Sequence, residues 1–461
     1  MIRTLLNAGV LCLWVSTQAS AVESFRLSVP AEGGIVWGGS VVAELRGCPE
    51  PQMAATLDGA PVTLEWRESP YADVHWATLT GFTAGDHELA VSGKCGGLAA
   101  HAVTRHFTAT TLTAADVGDR VAWKFIFQNK AEKLAWNWGP GIFLYGLHRL
   151  SRVSVDGPAY REYIHTYHTH KYEKGLPTIK AADGVPPGLS ALAMLVDDQD
   201  FELFKTGMKA ARYVHDEKRN KLGALNHLGH AWTSHFLAKS IWVDSLMMYA
   251  VLATQWGAQY HDLDLRDWGA EQPLIFASKL RDASTGLYFH AWNVDKNRLL
   301  PASAPTEWLR GNGWVAVATV EILDALGEDH PQAPALRALL ADLLKAAARY
   351  QMADGLWDTL MPTPGQGYEE TSGSALIGYA MLKAAHRGWV DASFAARGLK
   401  VFSSITARLE RDGPGYSMPG ISWFTNPGTP ASYKLIPRCH DLPYGVGAYL
   451  LLAAEVSSDS R

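Results

Sequence analysis

Near residues 110–112 the hydrophobic period of this chain changes from two to that of a helix, and no single layer of secondary structure accommodates both. Before the change, short β-rich runs (Val41 to Leu45, Val62 to Trp66, His87 to Val91) alternate with Gly, Pro and Asp turns. Several short strands at that spacing predict a small immunoglobulin-like β-sandwich over residues 22–111. No chemical constellation shows in it, so a structural or docking module is expected there.

After the change helical patterns dominate. Leu336, Leu339, Leu340, Leu343 and Leu344 fall at helical spacing within Ala335 to Tyr350. Trp314 to Leu326 is a second helix, stopped by Gly327, and Thr371 to Arg387 a third, with Gly388 at its C-terminal cap. The loops between are long and rich in Gly, Pro and aromatics. About 350 residues of this kind suit six helical hairpins of roughly 58 residues each, the size of an α/α toroid. The fold expected is mainly α, a helical domain over residues 112–461 behind the β-sandwich.

Residues 1–21 read as a secretory signal: Arg3, an apolar run from Leu5 to Val15, and the small-x-small site Ala19-Ser20-Ala21. The run is too short to span a bilayer. The mature protein is therefore expected to be soluble and exported, periplasmic or secreted, with no membrane partner. Cys12 leaves with the signal, Cys48 and Cys95 are expected to pair, and Cys439 is left single beside His440 and Asp441. A net charge of −5 without a basic block gives no case for nucleic acid. Seventeen Trp are many, and flat amphipathic indoles stack well on sugar faces.

The acid that stands out is Asp244. Ile241, Met248 and Val251 share its helical stripe, so the carboxylate is either buried or faces a cavity. Burial would raise its pKa, which suits a general acid; a core Asp paired with an Arg or a backbone group is the bland alternative. Asp183 precedes a helix opened by Pro186 and Pro187, where an acid either caps backbone amides or stands on a loop at the mouth of a site. In Trp308-Leu309-Arg310-Gly311-Asn312-Gly313-Trp314 a planar cation lies between indoles and glycines, a pattern suited to an anionic sugar. His290 lies between aromatics in Leu287 to Trp292. Two histidine clusters, His227/His230/His235 and His165/His168/His170, lack acids or thiols at ligand spacing, so no metal is expected.

Taken in order, these pieces resemble the unsaturated uronyl hydrolases of glycoside hydrolase families 88 and 105, more closely the latter. The resemblance runs from Trp136 to the C-terminus. It rests on Trp-x-Trp-Gly at Trp136 to Gly139, Asp-x-x-x-Pro-Gly at Asp183 to Gly188 and Trp-x-Asp-x-Leu-x-Met at Trp242 to Met248. It continues with His290, Trp-x-Arg-Gly-Asn-Gly-Trp at Trp308 to Trp314, Glu-Thr-Ser-Gly-Ser at Glu370 to Ser374 and Gly-Val-Gly-Ala-Tyr-Leu-Leu at Gly445 to Leu451.

The resemblance implies an (α/α)6 barrel and hydration of a 4,5-unsaturated uronic acid at the non-reducing end of lyase-generated oligosaccharides. It implies Asp244 as the acid that protonates C4 and then assists water at C5, with Asp183 as its partner. Arg310 and His290 would hold the uronate and its neighbours, Trp308, Trp314 and Trp138 would form a sugar platform, and His227 would contact substrate. No metal or organic cofactor is expected, and the protein would be a monomer or homodimer. Asn293 stands where the family has an Asp three residues after its His, and Gly223 to His227 only partly matches the family's Gly-Gly-x-Trp-His run. Two other readings compete: a polysaccharide lyase on the same toroid, with His290 and Arg310 at uronate, and a non-catalytic oligosaccharide-binding protein.

Overall fold

The β-rich part folds as two facing sheets. In this computed structural model, which describes residues 25–96, 98–235 and 238–458, one sheet has the order Arg26–Val29, Ser40–Arg46, Val74–Thr80, Arg67–Glu68. The other has the order Gly34–Trp37, Leu98–Thr110, Gly85–Cys95, Pro51–Leu57, Ala60–Val62, and its first pair is parallel. Period-two alternation turns Val41, Ala43 and Leu45 inward to meet Leu89, Val91 and Phe107 in one core. The Cys48–Cys95 disulfide joins the two sheets. The expected strand over Val62 to Trp66 stops at Val62, because the chain there leaves the edge of one sheet and crosses to Arg67–Glu68 on the other. The signal segment lies outside the described residues. Cys439 is buried. Its neighbours face away from one another, His440 toward Glu410 and Asp441 toward Ser417 and the Met418 amide.

Thereafter the chain is helical: α1 (Ala114–Gln128), α2 (Trp138–Ser151), α3 (Gly157–Glu173), α4 (Pro186–Met194), α5 (Phe201–Asp216), α6 (Val251–Tyr260), α7 (Leu263–Leu280), α8 (Leu309–Leu326), α9 (Ala333–Arg349), α10 (Thr371–His386), α11 (Ser393–Thr406), α12 (Pro430–Lys434) and α13 (Pro443–Ser458). Among the described residues no helix is long and apolar enough to cross a membrane. Packing is cyclic: α2 lies against α4, α4 against α6, α6 against α8, α8 against α10, α10 against α13, and α13 returns to α2. Each of these six has an outer neighbour, α3, α5, α7, α9, α11 and α1 in turn. The inner helices are apolar on nearly every side, as α8 and α13 show, whereas α9 and α11 carry one buried stripe. The α2–α13 seam is closed by backbone contact: a Cβ on Gly146 would lie 2.3 Å from the Gly447 carbonyl oxygen.

The inner helices point the same way. At one end Trp138, opening α2, meets Trp314 of α8 and Tyr444 of α13. At the other, Glu321 of α8 binds Arg149 of α2 at 2.7 Å and Lys383 of α10 at 2.9 Å. The cations sit in last turns, where the helix dipole favours them.

The β-sandwich docks on the helices through buried charge. Arg46 pairs with Glu44 and Glu369, and Arg408 with Asp354. Tyr71 donates to Asp358 at 3.1 Å, and at Gly365, where φ is +88°, a Cβ would lie 2.0 Å from the Pro70 carbonyl oxygen. The segment so gripped, residues 358–367, carries Leu360, which packs with Trp308 and Tyr433.

Candidate active site

Six helix N-termini converge at the end marked by Trp138. Asp183 precedes α4, Asp244 precedes α6, Trp308 and Glu370 are the caps of α8 and α10, and Tyr444 lies in the first turn of α13. Their dipoles put positive potential where an anionic ligand would sit.

Asp244 reaches this place through a strand rather than a helix stripe. Ser240–Trp242 pairs with Ala291–Asn293, and the Val243 amide donates to the His290 carbonyl at 3.0 Å. Ile241 therefore belongs to the strand, and helical winding starts at Asp244, first as a π-helix over Leu246–Ala250. The pairing sets Asp244 beside His290, whose Nε2 lies 3.0 Å from Oδ2. The His290 segment is itself held by Asn312, which accepts from the Tyr288 amide at 2.8 Å and donates to its carbonyl at 3.0 Å.

The Asp244 side chain is 13% exposed and His290 1%. Burial alone would raise the Asp244 carboxyl, but attraction and hydrogen bonding from His290, with His227 adding to them, hold it below the ordinary value. The raised pKa expected from burial is thus absent from the ligand-free site.

Asp183 lies on the turn Ala182–Gly184, is 44% exposed, and caps no amide of α4. His227 Nε2 stands 3.4 Å from its Oδ1, and His227 Nδ1 meets Ser245 Oγ at 2.9 Å. The two acids are therefore linked through His227 and the residue next to Asp244. His227 also stacks on Trp242 at 4.1 Å.

Arg310 is placed differently from the sequence expectation. It is 1% exposed, and its Nη atoms donate to the carbonyls of Ser422 and Trp423 at 2.8 and 2.9 Å, and to Thr425. Glu370 faces it at 3.8 Å, and the rings of Trp308 and Tyr444 flank it at 4.5 and 4.8 Å. A guanidinium so occupied pins the 422–425 segment and offers no free fork to a substrate carboxylate. Trp308 and Trp314 are likewise buried, at 1% and 0% exposure, and form the floor rather than an open platform. Trp138 is only half-buried. It meets Phe424, 45% exposed, edge-on at 5.5 Å, so this pair offers the aromatic surface.

Sequence reasoning missed Tyr433, Asn312 and Phe424 as parts of this site. Asn312 was within reach, being the polar centre of Arg-Gly-Asn-Gly, a position whose burial demands partners. Tyr433 carried no signal, since its role depends on a fold-back of 143 residues onto His290.

A family model, Glycosyl Hydrolase Family 88, matches residues 117–458. The chain belongs to that family. A relative is the unsaturated rhamnogalacturonyl hydrolase YesR of Bacillus subtilis, 29% identical over 327 residues, 70% of this chain and 90% of that protein. The fold is shared with a family 105 glycoside hydrolase from C. acetobutylicum (TM-score 0.68, 20% identity, covering 74% of this chain and 99% of that one). It is shared also with an unsaturated glucuronyl hydrolase responsible for the degradation of glycosaminoglycan from Bacillus sp. GL1 (TM-score 0.58, 16% identity, covering 74% and 95%). The family 88 match makes this protein a glycoside hydrolase.

Proposed function

We propose that the protein removes a 4,5-unsaturated uronic acid from the non-reducing end of lyase-generated oligosaccharides by hydrating its C4=C5 bond. The cyclic packing of six inner and six outer helices supports an (α/α)6 barrel with the site at its N-terminal mouth. The observation that carries the chemistry is the enclosed Asp244, held by His290 and tied through His227 to Asp183.

The unsaturated ring is an enol ether, so protonation at C4 makes an oxocarbenium at C5. Asp244, protonated once substrate has entered, gives that proton, and its carboxylate then takes one from the water that attacks C5. The hemiketal opens to the C5 ketone, and the bond from C1 to the next sugar breaks with return of a proton to its oxygen. Asp183 holds the sugar and adds negative charge beside Asp244, which opposes ionisation of that acid. Because no carboxylate attacks C1, the separation rule for retaining and inverting pairs does not apply. The converging N-termini balance the substrate's carboxylate, and Trp138 with Phe424 stacks on a sugar face.

The reading also takes residues 1–21 as an export signal and places the working enzyme in the periplasm or outside the cell. Absorbance of the unsaturated uronate across a panel of lyase-generated disaccharides tests the reaction: it decays on at least one. Appearance of that absorbance on an intact polymer would make the protein a lyase instead, and binding without any change would make it a carrier.

A further inference from the structure

His290 is bonded on both ring nitrogens, and the group behind it decides what it can do in front. Its Nε2 faces Asp244 Oδ2 at 3.0 Å, and its Nδ1 faces the hydroxyl of Tyr433 at 2.6 Å. Tyr433 is 1% exposed and stands on α12, packed with Trp308 and Leu360. Its oxygen already accepts the Gly428 amide at 3.2 Å. A phenol has one proton, and burial beside the Asp244 carboxylate pushes Tyr433 well above its ordinary pKa, so that proton stays. The acceptor in line for it is His290 Nδ1.

We propose that Tyr433 is a positioning residue for the acid: by donating to His290 Nδ1 it fixes that ring as the neutral Nε2–H tautomer, with the N–H turned onto Asp244 Oδ2. The proposal rests on Asp244 acting as the acid.

The consequence lies in which charge faces the carboxyl. An imidazolium would hold Asp244 as a tight ion pair and keep it from carrying a proton. A neutral N–H still orients Oδ2 but leaves Oδ1 free to carry the proton that goes to C4. Were the ring to take a proton at Nδ1, the Tyr433 hydroxyl would have to turn its hydrogen away from that nitrogen, at the cost of an unmade buried hydrogen bond. The other groups around the ring are Trp242, in an edge contact, and Trp308, tilted against it, with His227 beyond Trp242 and Arg310 beyond Trp308. Arg310 disfavours a second cation there, and His227 supplies no negative charge. The segment that carries Tyr433 begins at the carbonyls Arg310 pins, so the stretch offering Phe424 to the sugar also positions the acid.

The test labels histidine with 15N and follows the His290 ring in substrate-free protein across the range in which free imidazole titrates. Where the ring is neutral the wild type should show the Nε2–H tautomer; an Nδ1–H tautomer there would overturn the proposal. In Tyr433→Phe the neutral ring should lose that preference and populate the Nδ1–H tautomer, and an unchanged His290 signal would equally overturn it. In turnover, Tyr433→Phe should lose roughly tenfold or more in kcat with KM nearly unchanged, and the alkaline limb of kcat should move to lower pH. In a His290→Gln background the same substitution should leave that limb where it is; a further shift would contradict the relay. If the wild type bleaches no unsaturated substrate, the proposed function fails while the tautomer measurement still decides the role of Tyr433.

Discussion

Arg310 and Glu370 face each other at 3.8 Å with both side chains buried, and each also binds the same short segment. Arg310 donates to the carbonyls of Ser422 and Trp423, while Glu370 accepts from the Ser422 amide at 3.0 Å. Glu370 caps α10 as well, taking the amides of Ser372 and Gly373. One ion pair therefore joins two inner helices to the loop that supplies Trp423 and Phe424.

Arg310→Ala should act first on stability. Removing one member leaves Glu370 charged and buried, which typically costs about 3–5 kcal/mol. Thermal unfolding should fall by several degrees, and kcat should fall together with any rise in KM because the loop loses its anchor. A rise in KM alone, with the unfolding midpoint unchanged, would return Arg310 to the role of a direct uronate ligand.

The β-sandwich should prove inseparable from the helices. Arg408 binds Asp354 at 2.7 Å and lies within 3.8 Å of Glu44 and 3.6 Å of Glu369. Arg408→Ala should destabilise the whole chain by about 3–5 kcal/mol, read by denaturant unfolding as one transition with a lower midpoint. Two separate transitions would show instead that the parts fold independently.

Stability should also decline as pH rises from about 4.5 to about 7, for a reason visible at Glu307. Burial, and then a hydrogen bond with Asp282, raise its carboxyl to about 7 from 4.5. A folded-state pKa above the unfolded one gives a contribution that is whole below about 4.5 and is lost as pH rises through about 7. Glu307→Gln should remove that slope. Parallel stability curves for the two proteins would contradict it.

Most of the fold was legible because period is a local property. The Leu336 to Leu344 stripe becomes α9, Gly327 takes φ +76° at the end of α8, and Cys48 meets Cys95. Asp244 was found for a partly wrong reason. Its neighbour Ile241 looked helical by spacing, but a strand of three residues is decided by its partner Ala291–Asn293, which lies 50 residues on. The aromatic motif at Trp308 to Trp314 showed residue types without direction. Whether an indole faces a ligand or the core is settled by what packs on it, and here Arg310, His290 and Tyr433 cover Trp308. Tyr433 had no local pattern at all, and only the fold brings it behind His290.

The most direct test of the central claim is turnover of an unsaturated disaccharide in D2O, with Asp244→Asn alongside. Wild type should bleach the substrate and yield a product with one carbon-bound deuterium at C4, while Asp244→Asn, still folded, should lose roughly 10²–10⁴-fold in rate. Release of the sugar with its double bond and absorbance intact, or full activity of Asp244→Asn, would contradict it.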